Sequence, residues 1–217
     1  MTQVINKLGE LKKIKSFIQI NTIKGFKYVD RAGEIVNRYC KNDKAPEFVM
    51  NLQGLNIKKP IEKISEIKIS SNVIWCFFEE IDTFDSLIYL FNTESSNILE
   101  ILDINKVSRI GWRNHFVYEC KNIEEQKKYL NKFQISDNLK MYNISFKIDT
   151  KKDFEANLFI QPVVKEDKEY KTYGLFFDID IYKCGEIDID NIKNILSEYN
   201  SYLKDNEGFL KILNEIV

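Results

Sequence analysis

The amino-acid sequence predicts an α+β fold of antiparallel strands with intervening helices and a C-terminal helix. Three observations carry this reading. Strand-like runs cluster, with helices between and after them, and do not follow strict β-α-β alternation. Residues 141–183 hold three alternating runs joined by the short polar turns DTKKD and KEDKE, the pattern of a three-stranded antiparallel meander. Near the end, NIKNILSEYNSYLKD carries an apolar stripe at helical spacing behind a candidate cap.

Taken in order, KIKSFIQINTIK (13–24) alternates as a first strand with Ile14, Ile18 and Ile20 on one face. DRAGEIVNRYC (30–40) reads as a helix capped by Asp30, with Ala32, Ile35, Val36 and Tyr39 on one stripe. Gly33 weakens that helix by up to about 1 kcal/mol relative to Ala. Pro46 opens a strand over 47–57, and Pro60 ends it. Residues 65–81 read as one strand whose continuous apolar run, Val73 to Phe78, implies burial on both faces and a central position. Segments 83–91 and 96–103 are helical, read as one helix broken at Asn92–Ser95.

VSRIGWRNHFVYE (107–119) then splits, as a strand, into two faces. One carries Ile110, Trp112, Phe116 and Tyr118; the other carries Arg109, Arg113, His115 and Glu119. IEEQKKYLNKF (123–133) is a short amphipathic helix. The meander strands are 141–149, 153–164 and 171–183, with inward faces Ile144, Phe146, Ile148; Phe154, Ala156, Leu158, Ile160; and Tyr173, Leu175, Phe177, Ile179, Ile181. Pro162 suits an edge or a strand end, so the middle strand is expected to lose a partner there. Asp188 or Asp190 caps the terminal helix, whose stripe is Ile192, Ile195, Leu196, Tyr199 and Leu203; Gly208 separates a last turn.

The expected organisation is a single α+β domain over 1–217, or two lobes, 1–135 and 140–217, with a seam near 134–141. Hydrophobic residues make up 44%, enough for a core without a metal or disulfide staple. A net charge of −1 supplies no long-range field for polyanions, which weakens a nucleic-acid reading but leaves room for a local patch. The cysteines at 40, 76, 120 and 184 form no CxxC pair; Cys76 and Cys120 sit in strand-like runs as small hydrophobes. Reduced thiols, no apolar signal core and no apolar run of about 18 residues point to a cytoplasmic protein without a membrane span. The richness in Lys, Ile and Asn goes with an AT-rich bacterial genome.

Phosphate loops are absent: the eight glycines form neither GxGxxG nor GxxxxGK[ST]. Triad chemistry lacks a GxSxG elbow, and His115 is the only histidine. No cofactor is expected. Three candidate sites are left. Arg109 and Arg113 are spaced i, i+4 on a strand, about 13 Å apart, so they can meet a phosphate backbone or an acidic partner but cannot clamp one phosphate; beside His115 they can equally pair with Glu119 and neighbouring strands. Gly111 between them leaves a gap for a ligand or another backbone. Asp178 and Asp180 share a strand face and suit Mg²⁺, or they are a wet sheet face beside lysines such as Lys147. Phe159 and Phe176 fall on the polar side of the meander, as an interface or as internal packing.

An RIG-aromatic-R strand (Arg109 to Arg113), then a helix, a meander ending in DID and a long terminal helix resemble a widespread uncharacterised bacterial family with an R-I-G-x-R-Y segment, over residues 14 to 215 or so. Asn114 stands where that family has Tyr. The resemblance implies a fold and no activity. Antiparallel strands plus a long helix are also similar to SecB-like chaperones. The resulting expectation is a non-catalytic protein-interaction or assembly subunit of a bacterial cytoplasmic system, serving defence, toxin control or SecB-like peptide holding, and binding a protein partner or itself. The alternatives are a metal-dependent phosphodiesterase or nuclease using Asp178 and Asp180, or a nucleic-acid binder using Arg109 and Arg113.

Overall fold

A computed structural model describes residues 12–23, 28–41, 44–78, 84–133, 143–166, 171–204 and 208–216; the expected seam at 134–141 lies outside them. The described residues form strands β1 (Lys12–Thr22), β2 (Glu47–Asn51), β3 (Gly54–Ile61), β4 (Ile64–Ile69), β5 (Val73–Phe78), β6 (Lys106–Cys120), β7 (Ile144–Lys152), β8 (Phe154–Glu166) and β9 (Lys171–Asp188). The helices are α1 (Tyr28–Arg38), α2 (Phe84–Ile101), α3 (Ile123–Asn131), α4 (Ile192–Lys204) and α5 (Phe209–Ile216). The strands form one antiparallel sheet in the order β2-β3-β4-β5-β1-β6-β9-β8-β7, an α+β architecture. Among the described residues no helix is long and apolar enough to cross a membrane.

The chain divides into two compact units, each built from several segments. We call Lys15–Arg113 with Ile181–Asn200 the hairpin unit, and Asn114–Asp180 with the two chain ends the meander unit.

In the hairpin unit, period-two alternation makes one sheet face apolar. Two cross-strand rows run through its core: Ile18, Cys76, Ile67 and Ile57, then Ile20, Ile74, Ile69 and Leu55. All eight side chains are at most 1% exposed. The expected strand over 47–57 is a hairpin. Asn51 Oδ1 accepts from Gln53 N at 2.8 Å and Gly54 N at 3.2 Å, which turns the chain at Leu52. Gly54 passes so close to β4 that a Cβ there would lie 2.4 Å from the Ile69 carbonyl oxygen. Pro60 does not end a strand. It sits inside β3, where the β3–β4 register shifts between Lys58 and Ile61, a place where a missing N–H costs little.

The expected strand over 65–81 is also a hairpin, β4–β5, closed by Ser70 N donating to Val73 O at 2.8 Å. β5 is central, between β4 and β1, but it is not buried on both faces: Trp75 and Phe77 are half-buried on the side away from Ile74 and Cys76. α2 runs unbroken through Asn92–Ser95. Thr93 Oγ1 donates to Tyr89 O at 3.0 Å and Ser95 Oγ to Asn92 O at 3.5 Å, so these polar side chains bond back onto their own helix. α1 starts at Tyr28, which leaves Asp30 inside the first turn, where a carboxylate still complements the helix dipole. Asp188 makes no side-chain cap bond, because a 3₁₀ turn at Ile189–Asn191 precedes α4. Trp112 is fully buried, its indole Nε1 donating to Ser16 Oγ at 2.8 Å.

In the meander unit, β7 pairs with β8 from Lys152↔Phe154 to Ile144↔Ile160. Phe154, Ala156, Leu158, Ile160, Leu175, Phe177 and Ile179 are buried, as the alternation predicts. Among the described residues the β7–β8 pairing runs as far as Ile160, two residues before Pro162. Buried Gln126 of α3 reaches this place and donates to Val163 O at 3.0 Å and Gly174 O at 2.6 Å. At the end of α5, Lys132 Nζ donates to Ile216 O at 2.9 Å, a cation on a helix C-terminus.

Candidate functional site

The polar face of β6 divides between the two units: Arg109 and Arg113 belong to the hairpin unit, His115 to the meander unit. In the hairpin unit both guanidiniums rest on aromatic rings. Arg109 lies 4.8 Å from the Tyr182 ring centroid, and Arg113 lies 5.8 Å from that of Phe17. The gap expected over Gly111 is filled by the chain itself. A Cβ at Gly111 would stand 2.6 Å from Arg109 Nη1, so the glycine makes room for the neighbouring guanidinium and not for a ligand.

The arginines continue into a tile of aromatic and cationic side chains that the sequence did not single out. On the open face of β1 and β5, Phe17 pairs with Phe77, their centroids 5.3 Å apart, and Gln19 pairs with Trp75. Lys15 Nζ lies 4.7 Å and Lys68 Nζ 5.1 Å from the Phe77 centroid. The next positions outward are Glu66 opposite Phe77 and Lys68 opposite Trp75, then Lys58 and Asn56, then Glu47 and Val49. Glu66 is held by Lys68 at 3.0 Å and Asn56 at 2.7 Å; Glu47 pairs with Lys58 at 2.8 Å. Burial alone would push the Glu66 carboxyl up, but the hydrogen bonds from Lys68 and Asn56 and the nearby Lys15 charge outweigh it and hold the group below its ordinary range.

The meander unit brings together two of the other expected residues. His115 Nε2 lies 3.5 Å from Asp178 Oδ1, and its ring is 5.1 Å from the Phe176 ring. Asp178 is not on a wet face: it is 7% exposed, and the lysine expected beside it, Lys147, pairs with Glu155 at 2.5 Å. Asp180 is half-buried on the same strand. Phe159 and Phe176 are half-buried, with Phe159 opposite Ser145 on β7. Among the described residues no three His, Cys, Asp or Glu side chains cluster as a metal ion requires. A cleft of about 700 Å³ in the hairpin unit, bordered by Lys41, Glu62, Asp85 and Tyr89, takes in none of the expected site residues.

One edge of the sheet is exposed along its whole length. All five residues of β2 are solvent-accessible, including Phe48 (46%), Val49 (52%) and Met50 (41%), and Leu52 in the following turn is fully exposed. Phe48 stands opposite Ile57 and Met50 opposite Leu55, so both prolong the buried rows of the hairpin unit beyond the last covered strand. Comparison with protein-family models, curated proteins and solved structures finds no match.

Proposed function

We propose that this is a non-catalytic assembly protein that pairs with a second copy of itself through the β2 edge. The observation that carries the reading is the pair of apolar rows that run off the sheet at Phe48 and Met50. An unpaired edge with apolar side chains is a template for another strand, and monomeric proteins usually blunt such an edge with charges or proline. In a two-residue hairpin the pair flanking the turn, here Asn51 and Gly54, bonds inward; Phe48 and Met50 therefore direct their backbone groups outward.

The sequence of β2, EFVMN, is complementary to itself in antiparallel register about Val49. Phe48 of one copy meets Met50 of the other, a favourable sulfur–aromatic pairing, and Glu47 meets the Asn51 carboxamide and not a like charge. A two-fold contact of this kind closes on itself and gives a dimer, not a filament. A reducing cytoplasmic setting goes with the reading: the four cysteines are free thiols, and two of them are buried.

Light scattering on the purified chain tests this. The expected mass is twice 25.7 kDa. Phe48→Lys or Met50→Lys alters an exposed side chain and is expected to return the mass to that of one chain with the circular dichroism unchanged. A single-chain mass for the unaltered protein up to about 100 µM, where an interface of standard size is populated, would overturn the reading.

A further inference from the structure

The geometry points to a second, independent surface: the open face of the hairpin unit binds single-stranded nucleic acid, stacking bases on Phe17, Trp75 and Phe77 and holding phosphates with Lys15, Lys68 and Arg113. The three rings occupy adjacent positions of β1 and β5 and are half-buried, so each is held by the sheet and keeps part of its surface in water. Cations border them at 4.7, 5.1 and 5.8 Å from ring centroids. A cation that lies on a ring in the free protein is placed to swing outward to a phosphate when a base takes the ring, exchanging one electrostatic contact for another.

Charge on this face favours a polyanion although the chain as a whole is nearly neutral. Around the rings, Lys15 and Lys68 lie over Phe77 and Arg113 lies over Phe17, while the carboxylate opposite Phe77, Glu66, is bound by Lys68 and Asn56. An acidic peptide would use the cations but leave three π-faces without a role. A duplex would offer phosphates while keeping its bases inside the stack. A single strand uses both halves of the tile.

The chain carries its own probe. Of its two tryptophans, Trp112 is fully buried, whereas Trp75 is half-buried at the centre of the tile. Titrating a fifteen-residue oligothymidylate into the full-length protein is expected to quench Trp75 emission, with affinity falling with salt at a log–log slope of about −2 to −3 for three or four phosphates neutralised. Trp75→Phe keeps a ring and is expected to abolish the quench while binding, followed by anisotropy of a labelled oligonucleotide, persists. Lys15→Glu with Arg113→Glu should weaken binding by tenfold or more, and Phe77→Leu by about tenfold through lost stacking. No binding in low salt, binding insensitive to the double charge reversal, or equal affinity for a polyglutamate peptide or a blunt duplex of the same length would each overturn the inference.

Discussion

Gln126 donates its side-chain amide to the backbone carbonyl of Gly174 at 2.6 Å and, from the same nitrogen, to that of Val163 at 3.0 Å. A helix side chain thus supplies hydrogen bonds close to a proline that has no N–H to give. Replacing Gln126 with Ala or Leu leaves buried polar groups without this donor. The expected cost is about 2–3 kcal/mol, read as a lower urea midpoint at unchanged slope. Gln126→Glu offers no amide donor and should be no better.

Gly111 and Arg109 form a testable couple. A methyl group at Gly111 would displace only the far end of a flexible side chain, so Gly111→Ala is expected to fold and to lose about 1 kcal/mol or less as Arg109 leaves the Tyr182 ring. In an Arg109→Ala background the same substitution should cost nothing further. A double-mutant cycle by chemical denaturation measures the difference, and full additivity would show that the guanidinium does not fill the space. Gly54→Ala is the contrasting case. The atom in its way is the Ile69 backbone oxygen, and about 1–3 kcal/mol of strain is expected.

Asp178 separates a structural role from a metal-binding one. Its carboxylate is buried beside His115, so Asp178→Ala is expected to destabilise the fold by about 1–3 kcal/mol. Thermal melts with and without Mg²⁺ or Mn²⁺ decide between the roles: an equal loss in both supports the packing contact, whereas a metal-dependent stabilisation of the unaltered protein that vanishes in the variant would support a bound cation.

Glu66 makes stability depend on acid. Its folded carboxyl titrates below the ordinary value of 4.5, so its contribution is complete above that pH and is lost as the pH falls through the lower folded value. Lys68→Met removes one of the groups that hold the carboxylate, and the variant should lose less stability than the wild type between pH 6 and pH 3. Both partners are partly exposed, so the difference is no more than about 0.5 kcal/mol. Urea titrations at the two pH values read it.

The strand faces of the meander and of β6 were legible because period-two alternation there is clean: Phe154 to Ile160 and Leu175 to Ile179 are buried as written. The hairpins at 47–61 and 64–78 were not. Their turns are marked only by Asn51–Gly54 and Ser70–Asn72, and the apolar pattern continues on both sides, so each reads as one strand. That error hid the most informative face. While Val73–Phe78 reads as buried on both sides, Trp75 and Phe77 look like core. Only the register that sets Phe77 against Phe17 and Trp75 against Gln19 makes them a tile. His115 and Asp178 are brought together by pairing over long sequence separation, which local spacing does not encode. Asn92–Ser95 looked like a helix break because Asn, Thr and Ser compete for backbone groups, but in α2 the Thr93 and Ser95 hydroxyls bond to carbonyls of the helix itself.

The place of β1 in the sheet has a kinetic consequence. β2 to β5 are joined by turns of two or three residues and form a run of local hairpins, whereas Ser16 of β1 pairs with Phe78, 62 positions away (78 − 16). Short loops close at least entropic cost, so the four hairpin strands are expected to assemble early and β1 late. Until β1 arrives, the far side of β5 is an apolar slot without its native strand. A newly made chain therefore exposes two sticky edges, and β2 offers a ready substitute strand for either. Refolding yield should fall steeply with protein concentration, and a peptide of the β1 sequence added in excess should protect the slot and raise it.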